Sequence, residues 1–318
     1  MEAPHVDILS RLPPGIALVE FAVGVDGFIR DPRVRLAISS DPKLDLGARE
    51  IEGLFQWRWR PASLNGRPVE ARITLKVLSG GIKAQGYSPW HLEQVSKIRT
   101  AAEQGDPDAE YLFGELVLVD PKLGHGVEFR DFLVSAAQQG HAKAAYEVAQ
   151  SFQWLGLCQK DDHRLPWLRY AANAGEPIAQ LATAEEALRR PASADPQKVV
   201  QLLQHAVTSD DFYVKKHAVA LLAASPLETI RKPDVALVGA RALLDGPIQS
   251  DPQMFEAVAA AYAVTGDFAD AQSQEAIALK KARKLGWHTD PMEERLAAYR
   301  SGKPWYGDLL DYRAASAR

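Results

Sequence analysis

The sequence predicts two unlike parts: a small α+β sandwich built β-β-α-β, followed by an all-α helical-repeat solenoid. Three observations carry this. Apolar residues alternate with period two over residues 16–40 and 69–78. That alternation disappears after a glycine-rich stretch ending near residue 90. A short motif then recurs every 35 residues from Ala101 onward.

In the first part, "IALVEFAVGV" (Ile16 to Val25) places Ala17, Val19, Phe21, Val23 and Val25 on one face. Ile16, Leu18, Glu20, Ala22 and Gly24 fall on the other, so the first set reads as the apolar face of a half-buried strand. Asp26-Gly27 is a hairpin signal. "FIRDPRVRLAIS" resumes as a second strand, with Val34, Leu36 and Ile38 alternating against Arg33, Arg35 and Ala37; Pro32 indicates an edge or a bulge near its start. Ser40 or Asp41 with Pro42 reads as a helix start. Leu44, Leu46 or Gly47, Ala48, Ile51, Leu54 and Phe55 follow at spacings of three and four, an amphipathic helix of about four turns. Pro61 ends the segment Trp57 to Arg60, and "LNGRP" (Leu64 to Pro68) is a turn. The last strand, "VEARITLKVL", carries Val69, Ala71, Ile73, Leu75 and Val77 on one face and Glu70, Arg72, Thr74 and Lys76 on the other.

"SGGIKAQGYSPW" (Ser79 to Trp90) reads as a linker. Beyond it, "AAEQGDPDAEYLFG", "AAQQGHAKAAYEVA" and "AANAGEPIAQLATA" begin at Ala101, Ala136 and Ala171, aligning Gly105, Gly140 and Gly175 as well as Ala109, Ala144 and Ala179. Phe129, Phe132, Leu133, Ala136 and Ala137 form one helical stripe, and Gly140 supplies a left-handed stop. Ala144, Ala145, Val148, Ala149 and Phe152 form the stripe of the next helix, its alanines allowing close approach of two axes. Later copies are degenerate: Asp210 replaces the glycine, and Tyr262, Gly266, Phe268 and Ala271 keep the spacing. The implied organisation is 1–80 sandwich, 81–92 linker, 93–310 solenoid and 311–318 tail.

The totals exclude several classes. The chain has 318 residues and a net charge of −4, which argues against general polyanion binding. One cysteine, Cys158, cannot make an intrachain disulfide or a cysteine zinc site. No apolar run approaches the roughly 18–20 residues of a membrane span. "MEAPHVDILSRLPPG" shows no basic region followed by an apolar one, as a signal peptide would.

Trp57 and Trp59 with Arg58 and Arg60 could stack bases and hold phosphates. Their alternation fits tryptophans turned inward and arginines outward, closing a core. Cys158 and His163 lack a third orienting group. "HTDPMEER" (His288 to Arg295) offers metal ligands but also reads as Thr289 or Asp290 capping a helix, with Glu293 and Glu294 in its first turn. Trp90, Trp154, Trp167, Trp287 and Trp305 read singly as helix packing. No phosphate loop, His-Glu-x-x-His or nucleophile elbow is present, so neither catalysis nor a cofactor is expected.

Residues 15–78 resemble the C-terminal domain of the TonB energy-transducer family, through "VEFAVGVDGFIRD", "SSDPKLD" and above all "WRWRPASLNGRPV". The family's Tyr-Pro motif, membrane anchor and proline-rich spacer are missing. Residues 91–190 resemble Sel-like repeats, marked by Ala-Ala-x-x-Gly-x-x-x-Ala, and the rest to about 306 resembles degenerate tetratricopeptide units. The resemblance implies a periplasmic protein-interaction adaptor, whereas the visible N-terminus taken as the genuine start implies the cytoplasm. The TonB-like domain would accept an extended peptide, such as a receptor's TonB box, by strand addition along Val69, Glu70, Ala71, Arg72, Ile73, Thr74, Leu75, Lys76 and Val77. The solenoid would hold a second protein on a concave face, with no nucleic acid involved. In the alternative, the small domain caps the solenoid or dimerises through its sheet edge.

Overall fold

A computed structural model describes residues 12–80, 87–154, 161–189, 195–307 and 309–310. Cys158, residues 81–86 of the expected linker and the tail from 311 lie outside the described residues. The elements begin with strands β1 (Gly15–Val23) and β2 (Ile29–Ser39), helix α1 (Leu46–Leu54), and strands β3 (Ala62–Leu64), β4 (Arg67–Val69) and β5 (Ala71–Ser79). Twelve further α-helices follow among the described residues, in six successive pairs: α2 (Pro89–Glu103) with α3 (Pro107–Val119), α4 (Phe129–Gln138) with α5 (Ala142–Trp154), α6 (Asp161–Asn173) with α7 (Pro177–Leu188), α8 (Pro196–Ala206) with α9 (Phe212–Ala224), α10 (Pro233–Leu244) with α11 (Pro252–Val264), and α12 (Phe268–Leu285) with α13 (Asp290–Arg300).

The 35-residue period is visible in the backbone. Helices α3, α5, α7 and α9 start at Pro107, Ala142, Pro177 and Phe212, one period apart each time. The aligned glycines sit in the left-handed region, Gly105 at φ +83°, Gly140 at +102° and Gly175 at +90°. There an L side chain is strained, so glycine ends the first helix of these three pairs cheaply. Aspartates begin several of the others: Asp106, Asp195 and Asp251 each cap a helix whose first residue is proline.

The strands form a three-stranded sheet in the order β2-β1-β5 and a separate two-stranded ribbon, β3 with β4. The ribbon is antiparallel, Ala62 opposite Val69, and turns through Asn65 (φ +52°) and Gly66 (φ +78°). Two positive angles in succession suit a two-residue hairpin turn. The expected hairpin at Asp26-Gly27 joins β1 to β2, with the Gly24 amide donating to the Phe28 carbonyl at 2.9 Å.

By its contacts the chain forms two compact units, each drawing on both sheet and helices. The first comprises residues 1–20, 34–50 and 73–179. Its core joins Ile16, Leu18 and Leu36 of the sheet to Val95 and Ala102 of α2 and to Ala109, Phe113, Leu116 and Val117 of α3. Burying each large aliphatic side chain stabilises by roughly 1.5–3 kcal/mol. His91 of α2 reaches β1, its Nε2 lying 3.0 Å from the Gly15 carbonyl. In the next pair, Leu133, Ala136, Ala137, Ala144, Ala145, Val148 and Ala149 of the expected stripes are buried, while Phe129, Phe132 and Phe152 are half-buried.

The second unit comprises residues 21–33, 51–72 and 180–318. Phe21 packs on Trp59 with ring centroids 5.0 Å apart, and Trp57 lies 5.8 Å from Trp59. The Trp59 amide donates to the Gly27 carbonyl at 2.8 Å. Both tryptophans are half-buried while Arg58 and Arg60 are exposed, as the alternation predicts. Helices α9 and α11 interlock through alanines, among them Ala218, Ala223, Ala257, Ala260 and Ala261, all buried. Glu52 of α1 accepts from the Gln249 amide, from the Ser250 amide at 2.7 Å and from the Ser250 hydroxyl at 2.5 Å, ordering the approach to α11.

Four expectations need correction. Strand β1 is not half-buried; all nine residues are buried, because helices cover the Ile16–Leu18 side as well. Helix α1 starts at Leu46, not near Pro42, and runs nine residues. Asp45 provides its start, accepting from the Ala48 amide at 2.9 Å, while Asp41 closes a separate turn on the Lys43 amide. The last strand is broken at Glu70: Val69 belongs to the ribbon and β5 begins at Ala71. Helix α2 begins at Pro89, inside the stretch read as linker.

Candidate functional site

Of the nine residues nominated for partner binding, Ala71, Arg72, Ile73, Thr74, Leu75, Lys76 and Val77 lie on β5, an outer strand of the three-stranded sheet. Among these seven only Val77 is fully buried. Lys76 is tethered: its Nζ donates to Asp120 at 2.9 Å and to the Tyr87 hydroxyl at 3.0 Å. Burial alone would pull the Lys76 amine down; Tyr87 and Asp120 raise it above its ordinary value instead. Strand β2, the opposite edge, is blunted. Pro32 offers no amide, and Asp31 before it turns to φ +50°, inside a strand that runs from Ile29 to Ser39. Strand β5 has no proline and keeps its amides.

Sequence reasoning missed the buried charge. In the first unit, Arg35 of β2 is fully buried among three glutamates. Its Nε and Nη2 grip Glu115 in a fork at 2.5 and 2.7 Å. Nη1 donates to Glu20 at 2.6 Å, and Nη2 lies 2.7 Å from Glu147. The Arg35 carbonyl in turn accepts from the Tyr111 hydroxyl at 3.2 Å and from Lys143 at 3.3 Å. Tyr111 stacks on His141 at 4.6 Å, and burial holds the imidazole below its ordinary value despite Asp108.

In the second unit, Asp31 accepts from Lys216 at 3.2 Å and from His217 at 2.9 Å. Lys216 also donates to Asp251 at 2.9 Å and to Gln253 at 3.2 Å, and His217 faces Glu185 at 3.5 Å. Burial would raise the Asp31 carboxyl; Lys216 and His217 hold it far below the usual carboxylate range. Burial would likewise lower His217, but Asp31 pushes it up to about 9. A further cluster joins Arg295 to Glu256 and, at 3.2 Å, to Glu275. Burial raises the Glu275 carboxyl well above its ordinary value and, with Glu275 beside it, also raises the Tyr299 hydroxyl.

The signal for these clusters was present: charges inside apolar helical runs, Glu115 in "FGELVLV", Lys216 in "FYVKKHAVALLAA" and Glu256 in "MFEAVAAAY". A charge on such a face is buried only with a partner. The segment from His288 leads into the start of α13, as expected, but Thr289 at the cap position makes no side-chain cap bond; its hydroxyl donates to Glu293 at 3.0 Å instead. Among the described residues no group of three or more His, Cys, Asp or Glu is arranged to hold a metal ion. No helix among them is long and apolar enough to cross a membrane. Trp287 is buried, whereas Trp90, Trp167 and Trp305 are half-buried; the Trp154 side chain and Cys158, the expected neighbour of His163, lie outside the described residues.

No family model matches the chain, and no curated protein matches it. A solved structure, the Sel1 repeat protein from Oxalobacter formigenes, is similar at 18% identity with a TM-score of 0.44, the match covering 69% of this chain and 96% of that one.

Proposed function

We propose that the protein is a non-enzymatic cell-envelope adaptor, in which a TonB-like sheet takes an extended peptide by strand addition at β5 and the helix pairs hold a second protein. The observation that carries this reading is the contrast between the two sheet edges. Strand β2 has a positive φ at Asp31 and lacks an amide at Pro32; β5, half-buried for most of its length, has neither from Ala71 to Ser79. An incoming strand gains affinity from backbone pairing and selectivity from alternate side chains. A periplasmic location and a receptor's TonB-box peptide as ligand follow from the family resemblance. Titrating extended peptides of that kind while following backbone amide shifts tests the reading: residues 71–77 should shift first, and unmoved shifts with every peptide would exclude it.

A second reading rests on the core shared by Ile16, Leu18, Leu36, Val95, Phe113 and Leu116. A sheet face sealed by helices acts as a structural cap, and its open edge then pairs with a second copy. Sedimentation over a wide concentration range separates the two, since edge pairing requires a concentration-dependent dimer.

A further inference from the structure

The chain beyond α13 does not simply end; in the second unit it turns back across earlier helices. The Lys303 amide donates to the Ala298 carbonyl at 3.0 Å, closing the helix. Trp305 then packs against the cluster of Ala259, Ala263, Ala271 and Tyr299. Tyr306 lies over the guanidinium of Arg231, 3.9 Å from the ring centroid. The Gly307 amide donates to the Ala224 carbonyl at 2.8 Å, Leu309 is buried, and the Leu310 carbonyl accepts from the Gln253 side chain at 3.3 Å.

The surface under this strap has the attributes of a peptide-reading groove. Ala224 is the last residue of α9, and its carbonyl has no intrahelical amide to accept. Arg231 is held in place by its own bond to the Ser225 carbonyl at 2.9 Å, which leaves its flat face free to receive an aromatic ring. Gln253 is oriented by Lys216, which donates to its Oε1 at 3.2 Å and so directs the amide Nε2 toward the strap. The groove thus offers a planar cation, a backbone acceptor and a side-chain donor. The strap answers each with an aromatic ring, an amide and a carbonyl. Gly307 sits at φ +157°, which glycine alone adopts cheaply.

We propose that Ala224, Arg231 and Gln253 form a binding groove for an extended peptide bearing an aromatic residue, glycine, any residue and leucine, and that Tyr306, Gly307, Leu309 and Leu310 occupy it as a tethered stand-in. This deepens the second-protein half of the adaptor reading and rests on it; it is independent of β5. A short tether presents the strap at an effective concentration in the millimolar range, so a free peptide binds the intact chain weakly. Freeing the groove removes that competition.

The test uses a fluorescent peptide of sequence KPWYGDLL, matching residues 303–310, and the full chain carrying Tyr306→Ala with Leu309→Ala. Fluorescence anisotropy should show binding at least about tenfold tighter than to the unaltered chain, and adding Arg231→Ala should abolish it. A folded double variant that ignores the peptide overturns the groove while leaving the adaptor reading to the β5 titration. If the double variant fails to fold, hydrogen exchange on the unaltered chain decides. The Gly307 amide should exchange at least about a hundredfold faster than those of Ala259 and Ala260 in α11, as a displaceable strap requires. Equal protection would make the strap a fixed part of the core and refute the proposal.

Discussion

Two buried charge clusters supply their cations differently. In the first unit one cation, Arg35, is enclosed by Glu20, Glu115 and Glu147. In the second, two cations, Lys216 and His217, share Asp31, while Lys216 also holds Asp251 and His217 faces Glu185. Arg35 and Asp31 both come from β2, four positions apart. The difference is chemical as well as geometric. A guanidinium does not titrate in the working range, so the Arg35 cluster keeps its cation at any ordinary pH. An imidazole does, so the Asp31 cluster contains a member that alkali can discharge.

The largest expected effect is at Arg35. Arg35→Met leaves three glutamates without their shared cation and should cost about 3–5 kcal/mol in urea denaturation; a loss below about 1 kcal/mol would show the cluster to be ornamental. Lys216→Met takes the buried cation from Asp251 but leaves His217 facing Asp31, and should cost less, about 3 kcal/mol by the same measurement. Equal losses would erase the asymmetry between the clusters.

The pH response sharpens the contrast. His217 is raised in the folded chain to about 9. Its contribution is therefore fully present below its ordinary value near 6.5 and is lost as pH rises through the folded value. Asp31 is depressed, so its contribution is present above the ordinary carboxylate range and fades only in acid. Melting temperature should fall by about 5 °C between pH 6.5 and 9.5, and His217→Gln should flatten that slope. A slope unchanged in the variant would assign the alkaline loss elsewhere. The smallest effect belongs to neither cluster. Gly105→Ala has open space around the new methyl but must hold φ +83°, and should cost about 1 kcal/mol in thermal melts.

The same asymmetry explains what the sequence made legible. The helix pairs are written locally, in the glycine that stops one helix and the aspartate-proline that starts another, so the period survives translation into structure. The Trp57–Arg60 alternation is local too, and its sides came out as expected. What distant residues decide was harder to see. Nothing near Arg35 says that Glu115 and Glu147 will enclose it, since those partners lie 80 and 112 positions along the chain. Helices from beyond the glycine-rich stretch cover β1, so alternation alone understated its burial. The positive φ at Asp31 was signalled only by the proline after it, and the break at Glu70 by no turn residue. The β5 edge was legible as a strand; what distinguishes it, the blunting of β2, became clear only with the backbone angles.

The sealing of β1 also has a consequence in time. Ile16 and Leu18 are made about a hundred residues before Phe113 and Leu116, which cover them. At roughly 5–20 residues per second, that interval is on the order of 5–20 s. During it, one of the most apolar strands of the chain has a hairpin partner but a bare face. A nascent-chain chaperone would find its binding site there, and would be released by the arrival of the second helix of the first pair.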